Sequence, residues 1–335
     1  MYKVTLSMPI YNVAPYVERA LLSALNQTFE SIEFLLVDDR GTDNSMEIVR
    51  HIIKDHPRGK DVRIIEHPHN IGTGATKNTA IDNAQGEYLF FMDSDDEITP
   101  NCIQLLYDKM MEEKVDVVIG STQKITNDCI ISKVYDDLVI RDNYEILKNQ
   151  YVDYTNKNYI YIMVWNKLYD ISFIRKQNIR CIPNQLNEDN VFTTDFLFKA
   201  SSCALISNIT YNYYIISTST TSKNSLGYSK KIADQYIDIM FYYKSKLDII
   251  YPRLSVYYYY WVLSFMIRRM YGYIDGDLSK EEKCDYFNKL REGMSLRIGF
   301  NSLLLKSILK YICLMMPYSF FSCIVRTHRF CSRFY

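Results

Sequence analysis

The run Tyr88-Leu89-Phe90-Phe91-Met92 passes without a break into Asp93-Ser94-Asp95-Asp96-Glu97. Five apolar residues with no polar alternation, opened by Gly86-Glu87, need cover on both faces, and a parallel strand in an α/β layer provides it. The four carboxylates that follow repel one another unless solvent or a cation neutralises them. Asp93 and Asp95 stand two apart with small Ser94 between them, so both can reach one divalent ion, and hard oxygen ligands suit Mg2+ or Mn2+. An acidic turn capping the helix after Thr99-Pro100 would use the same residues, and this stretch alone leaves both uses open.

The preceding residues repeat the pattern. Val4, Leu6, Met8 and Ile10 alternate in a first strand that ends at Pro9-Ile10-Tyr11-Asn12, and Val17, Ala20, Leu21, Ala24 and Leu25 recur at helical spacing after Pro15. Ile32 to Val37 forms a second strand closed by Asp38-Asp39, with turn and capping residues from Gly41 to Ser45 before a helix face of Met46, Ile48, Val49, Ile52 and Ile53. Val62 to Ile65 leads into Asn70-Ile71-Gly72 and a helix through Ala84. Strands alternating with helices predict a doubly wound α/β sheet, whose ligands bind beyond the carboxyl ends of the strands. Asn12, Asp38, Asn70 and Asp93 are predicted to meet there.

Further on, Val115 to Ile119 and Tyr211 to Ile216 read as strands, and Glu188-Asp189 opens a helix carrying Val191, Phe192, Phe196 and Leu197. A polar loop from Ser217 to Ser225 separates this part from purely helical patterns. The expected division is therefore a catalytic domain over 1–227 and a helical region over 228–335. A length of 335 residues accommodates both.

Charge balance, 39 basic against 39 acidic residues, gives no global field for nucleic acid. The eight cysteines form no CxxC pair, which argues against a zinc site or a disulfide framework. The opening MYKVTLSMPIYN enters a strand pattern without the layout of a signal peptide, so a cytoplasmic location is expected. After Glu292 no acidic residue occurs, while Arg297, Lys306, Lys310, Arg326, Arg329 and Arg333 do. Such a basic, apolar-rich tail suits an anionic membrane interface on the inner face of the cell membrane; a helical pair packed on protein is the alternative.

With PIYN at Pro9 to Asn12, Ser23, Gln27-Thr28, VDDRGTDNS from Val37 to Ser45, Asn70-Ile71-Gly72, Lys77-Asn78, GEYLFFMDSDD from Gly86 to Asp96, Trp165-Asn166-Lys167 and Glu188-Asp189 in this order, the chain resembles family 2 glycosyltransferases. These are inverting sugar-nucleotide enzymes of GT-A fold. The resemblance implies that Asp38 accepts from the uracil N3–H and that the loop of Pro9, Tyr11 and Asn12 packs on the uridine. It also implies that Asn70, Gly72 and Lys77 line the donor site, that Asp95 is the principal metal ligand with Asp93 and Ser94 near the metal or ribose, and that Asp189 is the catalytic base. A UDP-sugar donor, a Mn2+ or Mg2+ cofactor and a glycan or lipid-linked oligosaccharide acceptor of surface polysaccharide synthesis follow from it.

Lys77 stands where the family commonly has Arg, Asn187 where a Gly precedes the acidic pair, and Ile215 where a basic residue often follows Tyr213-Tyr214. Two other enzyme classes fit worse. An aspartyl phosphotransferase needs Thr or Val at position 97, which is Glu, and a dinucleotide fingerprint at Gly72-Thr73-Gly74 has Lys77 in place of its third glycine. A non-catalytic membrane-associated partner of the same fold remains a third possibility. Glu188-Asp189 equally suits helix N-capping.

Overall fold

The computed structural model describes residues 2–126, 128–151, 156–183, 188–215, 230–255, 258, 279–293, 317, 319, 320 and 323. Asn187, the loop Ser217 to Ser225, Gly227, Tyr257, Tyr259, Tyr260 and the six basic tail residues lie outside these. The chain divides into two compact units, Met1–Ile215 and Ile216–Tyr335.

In the first unit β1 (Val4–Ile10), β2 (Ile32–Asp38), β3 (Val62–Glu66) and β4 (Tyr88–Phe91) alternate with α1 (Val17–Leu25), α2 (Ser45–Asp55) and α3 (Thr73–Asn83). Every residue of β2 is buried, including Glu33. That carboxylate is matched by Arg63 Nε at 2.8 Å, Thr5 Oγ1 at 2.6 Å and the Gln85 amide at 2.8 Å, so its burial leaves no lone pair stranded. The face of α1 that is buried is Val17, Ala20, Leu21, Ala24 and Leu25, the stripe its spacing predicts.

The sequence continues through β5 (Glu97–Ile98), α4 (Cys102–Glu113), β6 (Val117–Ile125), β7 (Ile130–Lys133), β8 (Leu138–Ile140), α5 (Asn143–Tyr151), β9 (Lys167–Asp170), α6 (Ile171–Lys176), α7 (Glu188–Lys199) and β10 (Cys203–Tyr214). The sheet runs β3-β2-β1-β4-β9-β6-β10-β5, with β7 on β6 and β8 on β10. Its first four strands are mutually parallel, in the register Ile10↔Asp38 and Ser7↔Phe91. β9 enters antiparallel between β4 and β6, and β10 then lies parallel to β6. The order reverses at β1 and β4, which is where an open sheet leaves a crevice beyond its strand ends.

Two of the expected strands differ in extent from the sequence reading. β6 extends to Ile125, past the expected end at Ile119, and β10 begins at Cys203, well before Tyr211. The two hold each other along most of their length, across register shifts at Ile206, Ile209 and Tyr211. Those irregularities interrupt the alternation that would have exposed β10 as one strand.

The second unit contains α8 (Lys230–Ile250) and α9 (Lys280–Gly293), with Ile239, Met240, Tyr243, Leu247, Leu254, Tyr258 and Phe287 buried. Among the described residues no helix is long and apolar enough to cross a membrane.

Candidate active site

The ends of β1, β2 and β3 are tied together by short polar side chains. Asn12 adopts a left-handed backbone, φ 51°, which Asn tolerates better than most residues, and its Oδ1 accepts from the amides of Thr42 at 2.7 Å and Asp43 at 3.3 Å. Pro9 is half-buried at the end of β1, and Tyr11 is exposed. Asp38 is buried and accepts from the Arg40 amide at 2.8 Å, with the Arg40 guanidinium 3.4 Å from its other oxygen. Arg40 also reaches the His67 carbonyl at 2.6 Å and Glu66 at 2.9 Å.

Asp39, which the sequence left without a role, organises the next loop. Its carboxylate accepts from the Ile71 amide at 2.9 Å and the Gly72 amide at 3.0 Å, and lies 2.8 Å from His67 Nδ1. His67 Nε2 in turn stands 2.9 Å from Thr79 on α3. Gly72 takes φ 87°, a conformation that favours glycine, and starts α3; Asn70 is exposed on the loop before it.

Beyond β4 the carboxylates of Asp93, Asp95 and Asp96 each offer an oxygen within 4.8 Å of the others. Burial, partly offset by Lys77 and reinforced by Asp189, Asp95 and Glu188, pushes Asp93 up to about 7. Burial likewise raises Asp95, and raises Asp96 to about 9. The three are not equivalent. Asp96 is fully buried, and its two oxygens accept from the Tyr211 hydroxyl at 2.9 Å and the Tyr214 amide at 2.8 Å. Asp93 and Asp95 are only half-buried, and Ser94 between them is buried. Two crowded, desolvated carboxylates with open lone pairs form a hard-oxygen donor set that fits Mg2+ or Mn2+.

α3 and α7 complete the site. Lys77 is buried, with Nζ 3.0 Å from Glu188 and in a closer ion pair with Asp189. Burial disfavours its charge, but Asp189, Glu188 and Asp93 outweigh this and hold its pKa well above the usual lysine value. The two helices meet without a spacer, since a Cβ on Gly74 would stand 2.8 Å from the Ile182 carbonyl oxygen and 3.2 Å from Glu188 Cβ. A second buried lysine, Lys167 on β9, donates to the Met163 carbonyl at 2.5 Å. Burial lowers it to about 7 against the pull of Asp189. Its neighbour Asn166, φ 57°, donates to the Gly120 and Ser121 carbonyls at 2.8 and 3.0 Å and accepts from Thr210 at 2.6 Å, which binds β6 to β10 at their centre.

The structure thus joins Lys77, Glu188 and Asp189 directly and sets Asp93 within their field. Asn12, Asp38 and Asn70 belong to a second group at the ends of β1 to β3. Lys77, expected beside the nucleotide, is turned onto the acidic pair of α7. Asp39, Asp96, Lys167 and Tyr211 are the site residues that sequence reasoning missed as individuals. The doubled Asp at the end of β2 and the third Asp after β4 were their visible signals.

The profile described as Glycosyl transferase family 2 matches residues 5–206. This chain belongs to that family. Glycosyltransferase GlyA of Streptococcus pneumoniae serotype 4 is 30% identical to this family 2 glycosyltransferase over 224 residues, which are 64% of this chain and 30% of GlyA. Poly(ribitol-phosphate) beta-N-acetylglucosaminyltransferase TarP of Staphylococcus aureus is 28% identical over 240 residues, 70% of this chain and 69% of TarP. Among solved structures, that of S. aureus TarS 1–349 in complex with UDP-GlcNAc superposes with a TM-score of 0.73 at 17% identity, covering 98% of this chain and 91% of TarS 1–349. The family 2 glycosyltransferase therefore has the GT-A fold, an α/β sheet with a helical C-terminal portion.

Proposed function

We propose that this family 2 glycosyltransferase moves a hexose or N-acetylhexosamine from a UDP-sugar to a hydroxyl of a glycan or lipid-linked acceptor, with inversion at C1. The observation that carries the proposal is that Asp93, clustered with Asp95 beyond β4, lies within the electrostatic field of the Lys77–Glu188–Asp189 cluster. The solved TarS complex holds UDP-GlcNAc and the relative TarP is named for transfer of N-acetylglucosamine, which supports a nucleotide-sugar donor.

In this reading Pro9, Tyr11, Asn12, Asp38, Asn70 and Gly72 receive the nucleoside, with Asp38 accepting the uracil N3–H. Asp93 and Asp95, with Ser94 between them, would hold a divalent ion, Mn2+ or Mg2+, which would supply positive charge where the departing diphosphate accumulates negative charge. Asp189 takes the proton of the acceptor hydroxyl as its oxygen bonds to C1 and the bond from C1 to the diphosphate oxygen breaks. Lys77 meanwhile keeps the α7 carboxylates in place and balances their charge until the proton arrives. The basic tail beyond Glu292 would hold the protein against the anionic inner face of the membrane, beside a lipid-linked acceptor.

The test is UDP release from UDP-GlcNAc, UDP-glucose and UDP-galactose with and without Mn2+, alongside thermal melting with each. A true donor at about 100 times its Kd stabilises the folded protein by about 2.7 kcal/mol. Neither release nor stabilisation with any of the three would leave the protein a non-catalytic partner of the same fold.

A further inference from the structure

The acidic loop is held from behind by one phenol. Tyr211 is fully buried, and its ring stacks on Trp165 with centroids 4.5 Å apart and planes 9° from parallel. Its hydroxyl donates to Asp96 Oδ2 at 2.9 Å and accepts from the Asp93 amide at 3.1 Å. The same oxygen therefore touches the loop at both ends of the Asp93-Ser94-Asp95-Asp96 turn. The second Asp96 oxygen is occupied by the Tyr214 amide at 2.8 Å. On the other flank Arg19 donates to the Asp95 carbonyl at 2.6 Å, and its guanidinium lies 3.6 Å from the centre of the Tyr214 ring.

We propose that Tyr211 is a positioning residue whose hydroxyl sets the spacing of Asp93 and Asp95 and commits Asp96 to the protein, so that two carboxylates and not three face the cation. This rests on the reading that Asp93 and Asp95 hold a divalent ion. The division of labour follows from hydrogen-bond capacity. A carboxylate with both oxygens already receiving buried donors has little left for a metal, whereas one free of such donors keeps its lone pairs. Without the phenolic oxygen, Asp96 Oδ2 loses its donor and the Asp93 amide its acceptor, both in a buried place where neither finds water. Asp96 is then free to swing toward its neighbours, and the Asp93 backbone is no longer pinned. Trp165 fixes the ring plane, so the hydroxyl has one direction in which to point.

Tyr211→Phe removes the oxygen and keeps the stacked ring. UDP binding is measured by calorimetry on the full chain with and without Mn2+, and Mn2+ binding by electron paramagnetic resonance. Loss of a hydrogen-bond partner behind a metal ligand costs about 10-fold to 100-fold in metal affinity. The variant should therefore lose about that much of the Mn2+-dependent gain in UDP affinity, while its affinity for UDP without metal stays within about twofold of wild type, the nucleoside contacts being elsewhere. An unchanged Mn2+ gain overturns the proposal. So does an equal loss with and without metal, which would make Tyr211 a support of the whole site. A wild-type protein whose UDP affinity ignores Mn2+ removes the metal reading itself, and this inference with it. Should Tyr211→Phe fail to fold, Trp165→Phe, which keeps the hydroxyl but loosens its plane, reads the same gain. No change in that variant also overturns the proposal.

Discussion

Lys77→Met isolates what the buried cation does. Met nearly preserves the length of the side chain and its packing on α3, and removes only the charge that stands between Glu188 and Asp189. Breaking a buried ion pair by deleting one partner costs about 3–5 kcal/mol, because the survivor is left charged and unpaired. Here the survivors are partly wet, at 15% exposure for Glu188 and 24% for Asp189. Solvent screening places the expected loss at the low end, about 3 kcal/mol. For a unit the size of Met1–Ile215 each kcal/mol shifts the melting temperature by about 2–4 °C, so a fall of about 6–12 °C is expected at pH 8. The deficit should narrow as the pH falls, because Glu188 and Asp93, already raised by burial and held down by Lys77, bind protons more readily without it and lose their mutual repulsion. The assay is thermal melting of both proteins from pH 5 to pH 8. Lys77→Arg, which restores charge and the family's usual residue, should recover most of the loss. A deficit that stays constant across this range would assign it to packing, and no deficit would show that the cluster contributes nothing net.

Three further outcomes are expected. With Asp189 as the base of the proposed mechanism, Asp189→Asn should lower kcat by about 100-fold to 10,000-fold with UDP-sugar affinity preserved; near-normal turnover would pass the role to Glu188. In metal-free protein the raised pKa values of Asp93, about 7, and Asp96, about 9, mean that stability is complete only below the unfolded carboxylate value and is lost as pH rises through both. From pH 5 to pH 7, below the range in which the lowered Lys167 adds stability by losing its proton, the metal-free melting temperature should therefore fall and recover with Mn2+, and a flat or rising profile there would contradict the crowded-carboxylate description. Deleting residues 295–335 should abolish co-flotation with anionic vesicles, and equal flotation of both forms would sink the membrane role of the tail.

What the sequence made legible was governed by burial. β2 and β4 are covered on both faces and appear as apolar runs, while β1, equally buried, shows an alternation because Thr5 and Ser7 are buried with its apolar residues; the polar residues that end all three mark the crevice without any knowledge of the fold. β9 gave no such sign, because a four-residue strand that opens with Lys167 looks like a loop until β4 and β6 are seen on either side of it. The site divides in the same way. Asp93 and Asp95 announce themselves by spacing, and Glu188-Asp189 by position at a helix start. That Lys77 turns onto Asp189, 112 residues further along, depends on how α3 and α7 meet, which no local pattern encodes. Asp39 and Asp96 were hidden by their neighbours: each is a carboxylate beside a more conspicuous one, told apart only by the donors that surround it.

The contact at Gly74 bears on how proteins with this architecture can diverge. Because even one methyl group there would meet the Ile182 carbonyl oxygen and Glu188 Cβ, the first turn of α3 acts as a stop against which α7 rests. A change in the seat of α7 therefore has to begin on its far side, or in the segment that leads into it. In the proposed function this contact fixes the distance between α3, which carries Lys77, and α7, which carries Asp189.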